Sequence, residues 1–241
     1  MNNIKKGVLL LIIASIFSSC GADLFNRIEG NRNVITEKRK ISDSFNGVKV
    51  SSGIDLYMKQ GNQTELSVEA DENLHDHIIT EVNGDQLHIY VDGNIWRAKA
   101  KKVYLTLIEL KELKASSGSS VYSKGVIKTD DIEVSTSSGA DVEIEIDAKN
   151  ITSSSSSGSG LRMSGTCETH TASASSGSSI STYELVSAET SAKVSSGADI
   201  RVFASSSIDA RASSGGVIRY KGNPKKIITK TSSGGGISKK E

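Results

Sequence analysis

Apolar and polar residues alternate with a period of two over much of the chain beyond residue 41. Alternation of this kind turns one face of a β-strand toward a core and the other toward solvent. The sequence therefore predicts an all-β protein. Clear examples are residues 66–68, 87–91 and 103–107.

A turn signal joins two of these segments. Asn83 and Gly84 lie between the apolar runs 78–82 and 87–91. Asn-Gly favours the tight turns that connect antiparallel strands. We therefore expect a β-hairpin here.

One tripeptide recurs through the rest of the chain. Ser-Ser-Gly begins at residues 51, 116, 137, 156, 175, 195, 213 and 232, and the last seven copies are 21, 19, 19, 20, 18 and 19 residues apart. A period near 19 residues is typical of a repeat architecture.

The apolar positions share one register relative to this tripeptide. The positions one, three and five residues before the motif are small or apolar in most copies, as expected for the inner face of a strand. Ile228, which falls on the outer face, is an exception. The fifth residue after the first serine is a branched aliphatic in every copy: Leu56, Val121, Val142, Leu161, Ile180, Ile200, Ile218 and Ile237.

A rung of about 19 residues holds two or three short strands and their turns. Stacked rungs would form a right-handed parallel β-helix, or β-solenoid, with an internal aliphatic ladder. The glycines fit bends that need a positive φ or close approach, and we expect the serine hydroxyls to hydrogen-bond along the ladder. Because the motifs at 116 and 137 return at 175 and 195, a pseudo-symmetric β-trefoil or β-prism is the alternative.

Composition and charge narrow the function. The chain has 241 residues, of which 41 are serine, 22 glycine and one proline, and Val and Ile supply the β-branched residues that disordered Ser/Gly-rich segments lack. The formal net charge is +1. Nucleic acid is therefore not an expected partner.

The N-terminus carries an export signal. Lys5 and Lys6 precede an apolar run over residues 7–17, which is too short to span a bilayer, and Cys20 follows two serines. We expect a lipoprotein signal peptide over residues 1–19 and a membrane anchor through lipidated Cys20. In Gram-negative bacteria, Asp after the lipidated cysteine would retain the protein at the inner membrane. Gly21 occupies that position here, which favours the outer membrane. The sequence does not decide whether the protein faces the cell surface or the periplasm.

The remaining chain divides into two parts. Residues 20–40 are polar and lack a period, which predicts a tether. Residues 41–241 form a single domain, with a less regular, hairpin-containing part over 41–112 and the Ser-Ser-Gly rungs over 113–238.

No residue pattern indicates catalysis, a metal or a cofactor. Asp141 and Asp199 occupy equivalent positions, but three rungs would separate them by about 14 Å. Glycosidase carboxylates lie roughly 5–9.5 Å apart. Cys167 has no motif that pairs it with a base, and we expect it to pack in the core.

Aromatic and acidic side chains on the outer face are the candidate binding residues. Tyr and Trp combine apolar area with a polar group and can stack on sugar faces, although packing or covering of the solenoid ends is the alternative role. The aromatic residues considered for this role are Tyr57, Tyr90, Trp96, Tyr104, Tyr122 and Tyr183. Trp96 lies in a polar insertion, so among the aromatic residues it is the one least expected to pack in the core. The candidates are Trp96, Tyr104, Tyr122, Asp141 and Asp199.

These segments resemble a known bacterial family. FNGVKVSSGIDLY at residues 45–57, with residues 66–70, 87–91, 103–107 and 110–118, is similar to the family called putative auto-transporter adhesin, head GIN domain. The resemblance implies an exported lipoprotein with an elongated β-helical fold and an adhesive role.

The sequence thus favours a non-enzymatic, lipid-anchored β-solenoid that binds a glycan or a surface protein through many weak contacts. A polysaccharide-active enzyme and a purely structural envelope protein are the alternatives.

Overall fold

The computed structural model describes residues 27–240, so the predicted signal peptide and Cys20 lie outside the described residues. Within this range the chain forms nineteen strands and one short 3₁₀ helix at Glu72–His77. The strands are β1 (Arg27–Glu29), β2 (Val34–Arg39), β3 (Gly47–Val50), β4 (Asp55–Gln60), β5 (Glu65–Asp71), β6 (Ile78–Asn83), β7 (Gln86–Val91), β8 (Asn94–Arg97), β9 (Lys101–Leu107), β10 (Glu112–Ala115), β11 (Ser120–Thr136), β12 (Asp141–Ser155), β13 (Gly160–Ala174), β14 (Ser179–Val194), β15 (Asp199–Phe203), β16 (Ser207–Ala212), β17 (Val217–Lys221), β18 (Lys226–Thr231) and β19 (Gly236–Lys239).

The strands stack as a β-solenoid of about seven turns, as the repeat predicts. Each of β11–β14 is long enough to run along both faces of a rung. In β12 the alternation of buried and exposed residues breaks at the bend between the faces, over residues 147–150. Successive rungs pair in parallel and in register, for example Val142 with Leu161 and Ser153 with Ala172. This single parallel stack excludes the trefoil and prism alternatives.

The predicted aliphatic ladder forms the core. The fifth-position residues pair directly from rung to rung, from Leu56 with Val121 at one end to Ile218 with Ile237 at the other. They are buried throughout, except that Ile237 is half-buried in the last rung. The opposing strands contribute mostly small side chains such as Ala172 and Ala192, so the space between the two faces is narrow.

The Ser-Ser-Gly motif closes each rung with a tight turn. At residues 137–140 the central residues Ser138 and Gly139 have φ of 51° and 69°, and the N–H of Ala140 donates to the carbonyl of Ser137 at 3.1 Å. Two central residues with positive φ are the signature of a type I′ turn. A Cβ on Gly139 would meet nothing within 4 Å, so the positive φ, not crowding, explains the glycine.

Neighbouring turns are hydrogen-bonded to one another through the backbone. The N–H of Gly139 donates to the carbonyl of Ser157 in the next rung at 3.1 Å, and the same bond recurs from Gly53 to Gly215. The serine hydroxyls of the motif were expected to hydrogen-bond along the ladder. The hydroxyl hydrogen bonds instead belong mainly to inward-facing residues beside the turn. Thr136, Ser155 and Ser159 bring their Oγ atoms within 2.9–3.0 Å of one another in the core.

Departures from the 19-residue period appear as bulges. The 21-residue spacing after residue 116 places two extra residues between Tyr122 and Val126, where β11 shifts against β12. The 20-residue spacing after residue 175 places one extra residue in β14, next to Tyr183. Both bulges project from the outer surface of an otherwise regular rung.

The solenoid begins earlier than predicted. Residues 27–39, assigned above to a tether, form β1 and β2, and β2 pairs antiparallel with β5 at one end of the stack. The buried carboxylate of Asp71 fixes this region by accepting the N–H groups of Arg32, Lys99 and Ala100 at 3.0–3.1 Å. Strands β3 and β4 also belong to a complete rung, because they pair in parallel with β10 and β11.

The predicted hairpin is confirmed. Strands β6 and β7 pair antiparallel, with Asn83 opposite Gln86, so Gly84 and Asp85 form the turn itself. Together with β2 and β5, this hairpin covers the first rungs.

At the opposite end of the stack, nothing within residues 27–240 covers the last rung. Strand β18 pairs with β16 and with no other described strand, and all six of its residues are exposed. Ile227 therefore remains 50% exposed, although it continues the row of the buried Ile208. Among the described residues, no helix is long and apolar enough to cross a membrane.

Candidate functional site

Three tyrosines form a continuous row on the outer face of the solenoid. Tyr104 of β9, Tyr57 of β4 and Tyr122 of β11 occupy directly paired positions on neighbouring strands. The ring centroids of Tyr57 and Tyr104 are 5.3 Å apart, and those of Tyr57 and Tyr122 are also 5.3 Å apart, with interplanar angles of 18° and 21°. We call these residues the tyrosine row.

An ion pair anchors one end of the tyrosine row. The Tyr104 hydroxyl donates to Glu69 Oε2 at 2.9 Å, and Lys102 Nζ donates to Glu69 Oε1 at 3.0 Å. The hydrogen bonds from Lys102 and then Tyr104 lower the pKa of Glu69. Burial, followed by the bond to Glu69, raises the pKa of Tyr104, so its phenol remains protonated at neutral pH.

The bulge in β11 carries a lysine over this row. Lys124 Nζ lies 5.3 Å from the ring centroid of Tyr57 and 5.4 Å from that of Tyr104, within the range of a cation–π contact. Gly125 takes a φ of 90°, and the Ser123 hydroxyl accepts the Glu145 N–H at 2.9 Å. The two extra residues of this rung therefore place an ammonium group above the tyrosines.

A concavity of about 770 Å³ opens beside Tyr104 and Tyr57. Its lining also includes Ile41, Ser67 and Thr106. Its rim carries mostly basic side chains. We call this the basic concavity, and its charged lining residues are Lys38, Arg39, Lys40, Lys59, Lys124 and Glu65.

Trp96 lies apart from the tyrosine row, on the short strand β8 that pairs only with β1. It is 51% exposed, and the Arg27 guanidinium lies 4.2 Å from its ring centroid. A second concavity, of about 620 Å³, adjoins it and includes Arg32 and Arg97. Trp96 is thus exposed, as expected, but it does not join the other candidates.

Asp141 and Asp199 occupy one row at the start of their strands, separated by Gly160 and Ser179. The register confirms that Asp141 and Asp199 are three rung-to-rung steps apart, or about 14 Å. Arg219 and Arg201 contact the two carboxylate oxygens of Asp199 at 2.6 and 2.9 Å. The structure therefore places neither residue at the tyrosine row, and Asp199 has its charge neutralised within the fold.

Other potentially reactive side chains are inside the core. Ser153 Oγ lies 2.9 Å from His170 Nε2, but each residue is only 1% exposed, and no described residue forms a hydrogen bond with His170 Nδ1. Cys167 is a buried free cysteine whose pKa is raised by burial, consistent with the predicted packing role. In the part of the chain that the structure describes, no three His, Cys, Asp or Glu residues form a group that could hold a metal ion.

The site thus combines the predicted Tyr104 and Tyr122 with Tyr57, one of the aromatic residues considered for sugar stacking, and with Lys124, which was not a candidate. Tyr57 follows Leu56 of the aliphatic ladder, and Tyr122 follows Val121 in the same register. Lys124 could have been found from the 21-residue spacing, the longest between consecutive motifs after residue 116.

The parallel rungs make this protein a β-solenoid. Its candidate binding residues, the tyrosine row, lie on the outer face of the solenoid. The chain belongs to the family described as putative auto-transporter adhesin, head GIN domain, whose model matches residues 44–224. The family resemblance seen in the sequence is therefore confirmed.

Solved structures of similar proteins share the fold. A putative adhesin from Bacteroides fragilis is 20% identical with a TM-score of 0.82, and the match covers 88% of this chain and 100% of that one. A putative lipid binding protein from Parabacteroides distasonis is 25% identical with a TM-score of 0.75, covering 89% and 100%. A putative adhesin from Parabacteroides merdae is 19% identical with a TM-score of 0.73, covering 90% and 100%. No curated protein matches the sequence.

Proposed function

We propose that this protein is a non-enzymatic, lipid-anchored protein of the cell envelope that binds a glycan at the tyrosine row. The observation that carries the proposal is the stacking of Tyr104, Tyr57 and Tyr122 on three neighbouring strands, with centroids 5.3 Å apart. Soluble proteins normally pack aromatic side chains inside, where their large apolar area is removed from water. Three outward tyrosines in one row therefore favour a surface that contacts a ligand.

The chemistry of the row suits a sugar. An aromatic ring offers an apolar surface to the C–H groups of a pyranose, while the phenol oxygen and nearby ammonium groups bond its hydroxyls. The backbone ladder beneath the rings holds them rigid, so little side-chain entropy is lost on binding. The adhesin descriptions of the family and of two structural relatives support a binding role.

An enzymatic role finds little support in the site. Asp141 and Asp199 are three rungs apart, and the carboxylate of Asp199 is paired with two arginines. The Ser153–His170 pair is enclosed in the core and cannot reach a polymeric substrate. A purely structural envelope role would leave the outward-facing tyrosine row, of which Tyr122 is exposed and the other two rings are half-buried, and the basic concavity without a ligand.

Glycan-array binding of the full-length protein tests the proposal. Tyr57→Ala and Tyr122→Ala should each reduce binding about tenfold or more, because the first removes the central ring of the row and the second removes a terminal ring. Tyr90→Ala is the matched control, because Tyr90 lies on β7, outside the row, where it stacks on His88 of the same strand. A protein that binds no glycan, or one whose binding is unchanged by the two row variants, would overturn this function.

The anchor and its location are proposed from the sequence. We infer that lipidated Cys20 holds the protein at the outer membrane, facing either the medium or the periplasm. Cys20→Ala should release the protein from the membrane fraction, and an unchanged fraction contradicts the anchor. Protease treatment of intact cells, with a periplasmic protein as a leakage control, distinguishes the two faces.

A further inference from the structure

We propose that the basic concavity beside the tyrosine row selects a carboxylate-bearing saccharide, an inference that rests on the proposed glycan-binding function and specifies its ligand. The tyrosines supply the stacking surface for a sugar ring. The rim of the concavity supplies the charge that distinguishes a sugar acid from a neutral sugar.

The lining charges are strongly unbalanced. Four lysines lie exposed on the rim, at the end of β2 (Lys38, Lys40), in β4 (Lys59) and in the β11 bulge (Lys124). Glu65 is the acidic lining residue, and it accepts a hydrogen bond from Gln63 Nε2 at 3.0 Å. The local field over the concavity is therefore positive, although the whole chain carries only +1.

Within the described range, none of the four rim lysines forms a salt bridge, and most other lysines of the molecule share this property. The rim lysines are distinguished by their position, because four ammonium groups and one carboxylate line a single concavity. A bound anion would relieve the mutual repulsion of these ammonium groups.

Arg39 also lines the concavity, but its guanidinium already has a structural role. It donates to the carbonyls of His75, at 2.6 Å, and Ile78, and its burial lowers its pKa. We therefore assign anion binding to the lysines.

The arrangement of charge and rings favours a sugar acid over a simple anion. Lys124 lies above two tyrosine rings, so a ligand that pairs an anionic group with Lys124 can also place an apolar face against those rings. A pyranose bearing a carboxylate presents an apolar ring face and a charge within one residue, and a volume of about 770 Å³ is in the range of ordinary ligand sites.

Paired ligands that differ only in charge test this inference on the full-length protein. Oligogalacturonate is compared with its methyl ester, and 3′-sialyllactose with the methyl ester of its carboxyl group, by titration at low and high salt. At least one acidic member should bind about tenfold more tightly than its neutral partner, and the preference should fall as salt rises. Lys124→Gln and Lys40→Gln should reduce the preference, Lys124→Arg should retain it, and Lys230→Gln, far along the stack on β18, is the control.

The outcomes separate this inference from the proposed function. Equal binding of the acidic and neutral members, dependent on Tyr57, overturns the charge selection and leaves glycan binding standing. No binding of either pair, together with a blank glycan array, overturns both. Lysine-dependent binding of phosphatidylglycerol vesicles or inorganic phosphate, without binding of the sugar acids, overturns the saccharide and assigns the concavity to phosphate.

Discussion

Ser153 Oγ and His170 Nε2 lie 2.9 Å apart in the core, on the directly adjacent strands β12 and β13. His170 interrupts an inward row in which Ile151 precedes it and Thr190 and Ile208 follow. A histidine in such a row is tolerated because it remains neutral, and burial lowers its pKa to about 4.

This burial makes stability depend on pH. The pKa of His170 is about 4 in the folded protein and near 6.5 when unfolded, so the unfolded chain binds more protons between these values. The free energy of unfolding should therefore fall, by up to about 3 kcal/mol from this group, as pH decreases from 6.5 to 4. Urea unfolding across this range should show a shallower pH dependence in His170→Leu, and an unchanged slope would contradict the assignment.

The open end of the stack should tolerate changes that the middle does not. Ile208 and Ile227 are neighbours in one row, but Ile208 is 1% exposed and Ile227 50% exposed. Ile208→Ala should cost roughly 2–5 kcal/mol, because it leaves a cavity between rungs. Ile227→Ala should cost less than about 1 kcal/mol. Thermal or urea denaturation of the two variants measures the difference, and equal losses would show that the last rung is covered in solution.

Two glycines with positive φ should respond differently to alanine. A Cβ on Gly139 would meet open space, so only its φ of 69° opposes substitution, at roughly 1–2 kcal/mol. A Cβ on Gly165 would lie 2.0 Å from the carbonyl oxygen of Ile146 in the neighbouring rung, in addition to a φ of 116°. Gly165→Ala should therefore be the more destabilising variant by chemical denaturation, and the reverse order would contradict the register of β12 and β13.

Cys167 should react slowly with thiol reagents while the protein is folded. Its side chain is 9% exposed and burial raises its pKa, which reduces both access and the thiolate fraction. In a Cys20→Ala background it is the single thiol, and its modification should accelerate on the order of 100-fold in denaturant. The control combines Cys167→Ser with Glu168→Cys, which moves the thiol to the exposed neighbouring position and should make it react quickly without denaturant.

The sequence by itself determined the architecture. The Ser-Ser-Gly period fixed where each rung turns, and the branched aliphatic five residues later fixed which face is buried, because side chains alternate along a strand. Both features are local and repeated eight times, so they could be recognised without knowing which strands pair. The hairpin at Asn83-Gly84 was predictable for the same reason, since its turn chemistry lies in adjacent residues.

Tertiary structure decided the rest. The segment over residues 27–39 has no clear period, yet β2 becomes ordered because β5 offers a strand to pair with, 27 or more residues farther along the chain. The tyrosine row joins residues as far apart as Tyr57 and Tyr122, and only the stacking of rungs brings them to 5.3 Å. The basic concavity likewise gathers lysines from three strands, because parallel stacking converts positions distant in sequence into neighbours along one outer face.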